Sequence, residues 1–206
     1  MLKKFFIKKI FFVSFFIIFF LNDICGVCQT KDNLEIFYAL IDSSGENILN
    51  NLPASNKDLS LSLNLGESYS LFKNHLISIF YKDGYKVKLS DSADGKVNIS
   101  YVLDKAKVNY GDIFRDGIFG SYLMPRKVEI SGNYLIKNNT FSYKEFNYKY
   151  LDTVKVDNVK TLENISYPFT QGNIPTEPFF SSLFEPLVAI GTAAIAVFLF
   201  FTIRSK

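Results

Sequence analysis

The end of the chain carries the strongest constraint on its fold, an apolar run from Leu187 to Ile203 without a charged residue. An α-helix rises about 1.5 Å per residue, so about 20 apolar residues cross the roughly 30 Å hydrocarbon core of a bilayer. Extended back to residue 183, the run reaches that length, and we predict a transmembrane helix over residues 183–203 followed by a cytoplasmic tail, residues 204–206. The residues of the predicted anchor include Leu187, Ile190, Val197, Phe200 and Ile203. The rest of the chain is then a domain on a tether.

Residues 1–28 have the three parts of a secretory signal. Four lysines lie within the first nine residues, an apolar stretch occupies 10–21, and Gly26 and Cys28 supply the small residues that a signal peptidase prefers. The apolar stretch is too short for a comfortable membrane span. We therefore interpret the segment as a cleaved signal peptide, with an uncleaved N-terminal anchor as the alternative.

Both cysteines, Cys25 and Cys28, lie in this segment, so its removal leaves an exported domain without cysteine. Such a domain has no disulfide framework, no thiolate metal site and no cysteine nucleophile. The four lysines and one aspartate of the segment account for the whole formal charge of +3, so the basic isoelectric point gives no argument for nucleic acid as a partner. His75 is the only histidine, which argues against a zinc site or a histidine-based triad. We predict no cofactor and no metal.

Hydrophobic periodicity divides the exported region, residues 29–166, into helices and strands. Asp32 and Glu35 form a capping-box pattern, which predicts that a helix begins there. The predicted helices cover 33–51 and 67–82, and the predicted strands cover 59–65, 85–90, 97–110, 128–136 and 141–150. This order predicts an α+β fold, in which two helices pack on one face of a mainly antiparallel sheet of about five or six strands.

The apolar residues of the strands switch between odd and even positions twice, near Asp104 and between Tyr143 and Phe146. Each such change of parity predicts a bulge or a bend. Residues 137–140 predict the turn of a hairpin between the last two strands. The valines at 154, 156 and 159 predict one more short extended piece. Residues 167–182 contain three prolines and predict an extended linker to the membrane.

One stretch has a likeness to known domains. In residues 71–103, LFKNHLISIFYKDGYKVKLSDSADGKVNISYVL, a helix that ends in Gly84-Tyr85 leads into a strand, and Ala93-Asp94 follows that strand. The stretch resembles small envelope domains of the curli-secretion type and of the TolB amino-terminal type. The resemblance implies an envelope domain of α+β class and carries over no site residue.

Residues 111–121 predict a Gly-rich loop, and the candidate contact site lies in this loop and the residues up to Arg126, with Arg115, Asp116 and Arg126 expected to meet a partner or an anionic ligand. Long loops are often functional. Arginine has a planar guanidinium group that can bind an anion through two hydrogen bonds at once, which the many lysines of this chain cannot do. The alternative is an ordinary loop with a salt bridge.

These observations predict a non-enzymatic single-pass envelope protein that presents an exported α+β domain for protein interaction or envelope assembly. The expected partners are the lipid bilayer, through residues 183–203, and another envelope protein. The basic tail places the domain outside the cytoplasm, in the periplasm if the source is a Gram-negative bacterium. Small residues four apart, Ala189 with Ala193 and Thr192 with Ala196, permit a weak homodimer through the terminal helix.

Two other functions stay open. A membrane-tethered hydrolase can work with two carboxylates and needs neither histidine nor cysteine. A binding module for an amphiphile would use the groove between the helices and the sheet.

Overall fold

A computed structural model describes residues 30–52, 57–89, 97–117, 120–176 and 179–204, leaving the side chains of residues 179–185 and 203–204 undescribed. Its helices are α1 (Asn33–Leu49), α2 (Phe72–Lys82), α3 (Val159–Leu162) and α4 (Phe179–Arg204), with 3-10 turns at Val156–Asn158 and Pro168–Thr170. Its strands are β1 (Asp58–Asn64), β2 (Lys86–Leu89), β3 (Val97–Tyr110), β4 (Phe114–Arg115), β5 (Tyr122–Lys137) and β6 (Phe141–Lys155). The α+β class is confirmed. The predicted signal segment, 1–28, lies outside the described residues.

The six strands form one mixed sheet. β1 is parallel to β2 on one side and to β3 on the other, whereas β5 is antiparallel to β3, β4 and β6. Leu123 of β5 pairs with both Phe114 of β4 and Lys155 of β6, so these two strands border opposite edges of β5. The sheet is mixed, because β1 lies between β2 and β3 and is parallel to both, whereas the other three of the five pairings among the described residues are antiparallel, as expected.

α1 begins with the predicted capping box. The Asp32 carboxylate accepts from the Glu35 amide at 2.7 Å, and the Glu35 carboxylate accepts from the Asp32 amide at 3.2 Å. α1 continues through Gly45, which lies at the contact with α2. A Cβ at this position would come within 2.8 Å of the Ile79 side chain, so the glycine lets the two helices approach closely.

The inner face of the sheet packs against α1 and α2 in one core. β3 changes parity at Asp104, where its pairing with β5 shifts between Leu103 and Lys105, so the predicted bulge is confirmed. The second predicted parity change is wrong, because β5 and β6 pair without interruption over the length of β6. Phe141 and Tyr143 therefore lie on the outer face and are 70% and 58% exposed.

The segment after β6 folds back onto the core. The extended piece predicted for residues 154–159 is wrong beyond Lys155, because a 3-10 turn and α3 follow and bury Val159 and Leu162. Phe169 is also buried, and its ring centroid lies 5.2 Å from that of Phe37 and 5.6 Å from that of Phe72. It fills the space where α1 meets α2, so part of the segment predicted as linker packs with the folded domain.

α4 contains Pro186, and its residues with described side chains, 186–202, are all exposed and uncharged. Among the residues whose side chains are described, no helix is long and apolar enough to cross a membrane. The predicted span, 183–203, extends past those residues at both ends.

Candidate functional site

Arg115 and Asp116 lie where the sequence placed them, at the surface between β3 and β5. Arg115 belongs to β4, where its guanidinium donates to the Gly120 carbonyl at 3.2 Å and lies 5.2 Å from the centre of the Tyr122 ring. Asp116 is exposed, and the turn after it uses Gly117 at a φ of 70°. Asp116 is accessible to a partner, and Arg115 is half-buried by the contacts of this connection.

Arg126 is separated from this pair, and the prediction that it contacts a partner needs correction. Its residue is 0% exposed, because β5 directs it to the inner face of the sheet. Its guanidinium forms a bidentate pair with Asp152, at 2.8 and 2.5 Å. Asp152 stands directly opposite on β6, so the register of the hairpin makes this ion pair. Arg126 is a structural residue of the core.

A buried polar network surrounds this ion pair. Arg126 also donates to the Lys31 carbonyl at 3.0 Å and to the Asn33 side-chain oxygen at 2.7 Å. The Asn33 amide in turn donates to the Tyr110 hydroxyl at 3.1 Å and to the Thr170 carbonyl at 2.8 Å. Burial raises the pKa of Tyr110 to about 12, so its hydroxyl stays neutral. The network joins the start of α1, three strands and the segment before α4.

An open acidic cleft of about 620 Å³ lies between α1 and α2. Asp42, Glu46 and Asp83 contribute its carboxylates. The Asp42 carboxylate lies 2.6 Å from His75 Nε2 across the two helices, and the Asp83 carboxylate lies 3.5 Å from Lys57 Nζ. Within the described ranges, no three His, Cys, Asp or Glu side chains cluster closely enough to hold a metal ion.

The outer face of the sheet carries a lysine cluster around one carboxylate. Glu129 is nearly buried there, with Lys127, Lys105 and Lys107 at 2.8, 3.1 and 3.3 Å. The hydrogen bond from Lys127 is the main cause that lowers the pKa of Glu129 to about 2. Three ammonium groups against one carboxylate leave the cluster positively charged. The side chains present a cationic surface on the face opposite the helices.

The same face also carries exposed apolar side chains. β6 places Phe141 and Tyr143 near its start and Leu151 opposite Lys127, beside the lysine cluster, and Leu151 is 70% exposed. Alternation along β6 puts Glu145 and Lys149 on this face as well, and both are exposed. We take the outer face of β3, β5 and β6 as the candidate functional site, because it combines charge with exposed apolar side chains.

The sequence did not single out Asn33, Asp152 or Glu129 as important. Asp152 meets Arg126, and Glu129 meets Lys105 and Lys107, only through the strand register, whereas Lys127 lies two residues from Glu129 on the same strand. The alternation of β6 did carry a signal, since even-numbered residues from Phe146 to Val154 face the core.

No family model matches this chain, and no curated protein matches it. Among solved structures, rare lipoprotein B from Shewanella oneidensis is similar at 11% identity and a TM-score of 0.31, over 71% of this chain and 93% of that one. A minor lipoprotein from Acinetobacter baumannii is similar at 13% identity and a TM-score of 0.30, over 51% of this chain and 70% of that one.

Proposed function

We propose that this chain is a non-enzymatic protein of the cell envelope, anchored by its C-terminal helix and presenting the α+β domain to another envelope protein. One observation carries the proposal. The residues of α4 whose side chains are described, 186–202, are all exposed and uncharged, and large apolar side chains such as Leu187, Ile190, Phe198 and Phe201 are more than half exposed. A contiguous apolar surface of this kind marks a membrane or protein contact.

The single-pass topology predicted from the sequence belongs to this proposal. Residues 183–203 form the span, and Arg204 and Lys206 remain on the cytoplasmic side. The domain ends close to the helix, since Thr170 is buried and Gly172 donates its amide to Glu163 at 2.8 Å. Only a short connection then separates the folded domain from the bilayer surface.

The contacts of the acidic cleft favour an interaction role over hydrolysis. A carboxylate-dependent glycosidase needs one carboxylic acid with a raised pKa and a second carboxylate on the other side of the bond. In the cleft, Asp42 contacts His75 at 2.6 Å and Asp83 contacts Lys57 at 3.5 Å, so side chains of the domain itself already engage these two carboxylates. The aromatic packing of Phe169 between α1 and α2 likewise occupies space that an amphiphile would need.

Membrane anchoring is tested by extraction and truncation. Full-length chain should stay in the membrane pellet after alkaline carbonate treatment, and a chain truncated after Thr176 should be soluble and folded by circular dichroism. Truncation after Tyr167 is the matched control, because it also removes Phe169 and Thr170 and should leave the domain unfolded. A folded, truncated chain that remains in the pellet would refute the anchor.

Topology and partner need separate measurements. A tag added after Lys206 should resist protease in cells permeabilised only on the outside, and its digestion would reverse the topology. A photo-crosslinker at Lys107, on the outer face, should capture a protein neighbour, whereas one at Tyr81 on α2 should not. Capture of no protein from Lys107, or equal capture from both positions, would contradict the proposed role of the outer face.

A further inference from the structure

β6 is a long strand at the edge of the sheet. It runs for 15 residues, which corresponds to about 50 Å of extended chain. In the part of the chain that the structure describes, β6 pairs with β5 alone. Its other edge therefore presents backbone donors and acceptors in a row, and such an edge is a template for another strand.

The side chains of β6 are complementary to a second copy of the same strand. In an antiparallel pair whose two-fold axis passes through Asn147, Glu145 stands opposite Lys149 of the other copy, and Tyr143 stands opposite Leu151. Opposite charges and aromatic–aliphatic pairs at directly facing positions each stabilise a sheet. The symmetry makes every such pair occur twice.

Other symmetric registers lack this match. An axis through Glu145 or through Lys149 places identical charges opposite each other, which destabilises the pairing. Lysines on an edge strand commonly protect it from pairing with other chains. In the register about Asn147, however, Lys149 has a carboxylate partner, and the inner-face neighbours Phe146 and Tyr148 face each other across the axis.

We propose that two copies of this chain pair through β6, antiparallel about Asn147, so that the six strands of each copy form one continuous sheet. The partner is a second copy, because the strand supplies both members of each complementary pair. The pairing also joins the outer faces of the two copies into one surface. It goes beyond the proposed function, since it requires neither the membrane anchor nor the envelope partner.

A symmetric disulfide tests the register in the full chain, purified in detergent with Cys25 and Cys28 replaced by serine. On the axis, two Asn147→Cys residues have Cα atoms about 4.5–5.5 Å apart, which a disulfide spans. Thr153→Cys is the control on the same strand and face, because the pairing separates its two copies by about 40 Å. The dimer should form on mild oxidation of the first variant and not of the second.

Charge exchange tests the contact without cysteine. Glu145→Lys or Lys149→Glu alone places like charges opposite each other twice, and should weaken dimerisation roughly tenfold in light scattering or analytical ultracentrifugation. The double exchange restores opposite charges and should restore the dimer. Absence of a crosslink at 147, equal crosslinking at 153, or failure of the double exchange to rescue would overturn the proposal. A dimer held by α4 instead would persist in the charge variants and would form no crosslink at residue 147.

Discussion

Arg126→Met should be the most damaging single substitution in the polar part of the core. The guanidinium makes four hydrogen bonds, two to Asp152, one to the Lys31 carbonyl and one to the Asn33 oxygen. Methionine has a similar length and leaves no large cavity, so the effect reports the lost polar contacts. Asp152 keeps its charge without its partner, and the oxygen of the fully buried Asn33 loses its donor.

Removing one member of a buried ion pair costs about 3–5 kcal/mol. A domain of this size loses about 2–4 °C of melting temperature per kcal/mol, so Arg126→Met should lower the melting temperature by about 6–20 °C. Circular dichroism during thermal or urea unfolding measures the change. Arg115→Met is the matched control on the surface and should cost under about 1 kcal/mol.

A second variant separates the effect of the unpaired Asp152 carboxylate on stability from the effect of lost packing. In Arg126→Met with Asp152→Leu the uncompensated carboxylate is gone, and replacing both members by apolar residues often costs little. The double variant should therefore be more stable than Arg126→Met alone. If Arg126→Met unfolds no earlier than Arg115→Met, the network does not stabilise the domain and the reasoning is refuted.

Three further predictions concern stability. Glu129 has a pKa lowered to about 2, against about 4.3 in an unfolded chain, so its stabilisation is present above about pH 4.3 and is lost as the pH falls toward 2. Glu129→Gln should therefore lower the free energy of unfolding by at most about 3 kcal/mol at pH 7, measured in urea titrations. A stability difference between the two proteins that persists at pH 2 would contradict this. Gly132→Ala should destabilise by more than about 2 kcal/mol, because the added Cβ would lie 2.1 Å from the Val102 carbonyl oxygen; unchanged thermal unfolding would show that the strands can move apart. Phe169→Ala should lower the free energy of unfolding by about 3–5 kcal/mol, whereas Phe141→Ala should leave that of the monomer almost unchanged, because only Phe169 is buried. Equal losses of stability in chemical denaturation would contradict this difference in burial.

Local pattern was sufficient for most of the elements of this fold. The capping pair Asp32 and Glu35 and the parity change at Asp104 each depend on neighbours within a few residues, and both are found as predicted. The strand predicted at 59–65 is found as β1, but its strict alternation is not, because Ser60 is buried together with Leu59 and Leu61. The hairpin of β5 and β6 was also predicted, because its turn and its two alternating strands are adjacent in sequence.

The candidate site could be predicted only in part. Arg115 and Asp116 lie at the surface because a turn exposes its residues, whereas Arg126 was assigned to the same segment although it continues the inward-facing positions of β5. The error has a physical cause. An arginine on an inward position is interpreted as a surface residue unless its partner is known, and that partner, Asp152, lies 26 residues later.

By itself the sequence determined the α+β elements, the absence of cysteine after residue 28 and the apolar terminal segment, because each follows from composition or from a period of a few residues. The tertiary structure alone decided the parallel position of β1, the burial of Phe169 and the pairing of Arg126 with Asp152. It also decided that Phe141, Tyr143 and Leu151 share the outer face with the charges of β6. These features depend on contacts between residues far apart in the chain, and such contacts are set by strand register and packing.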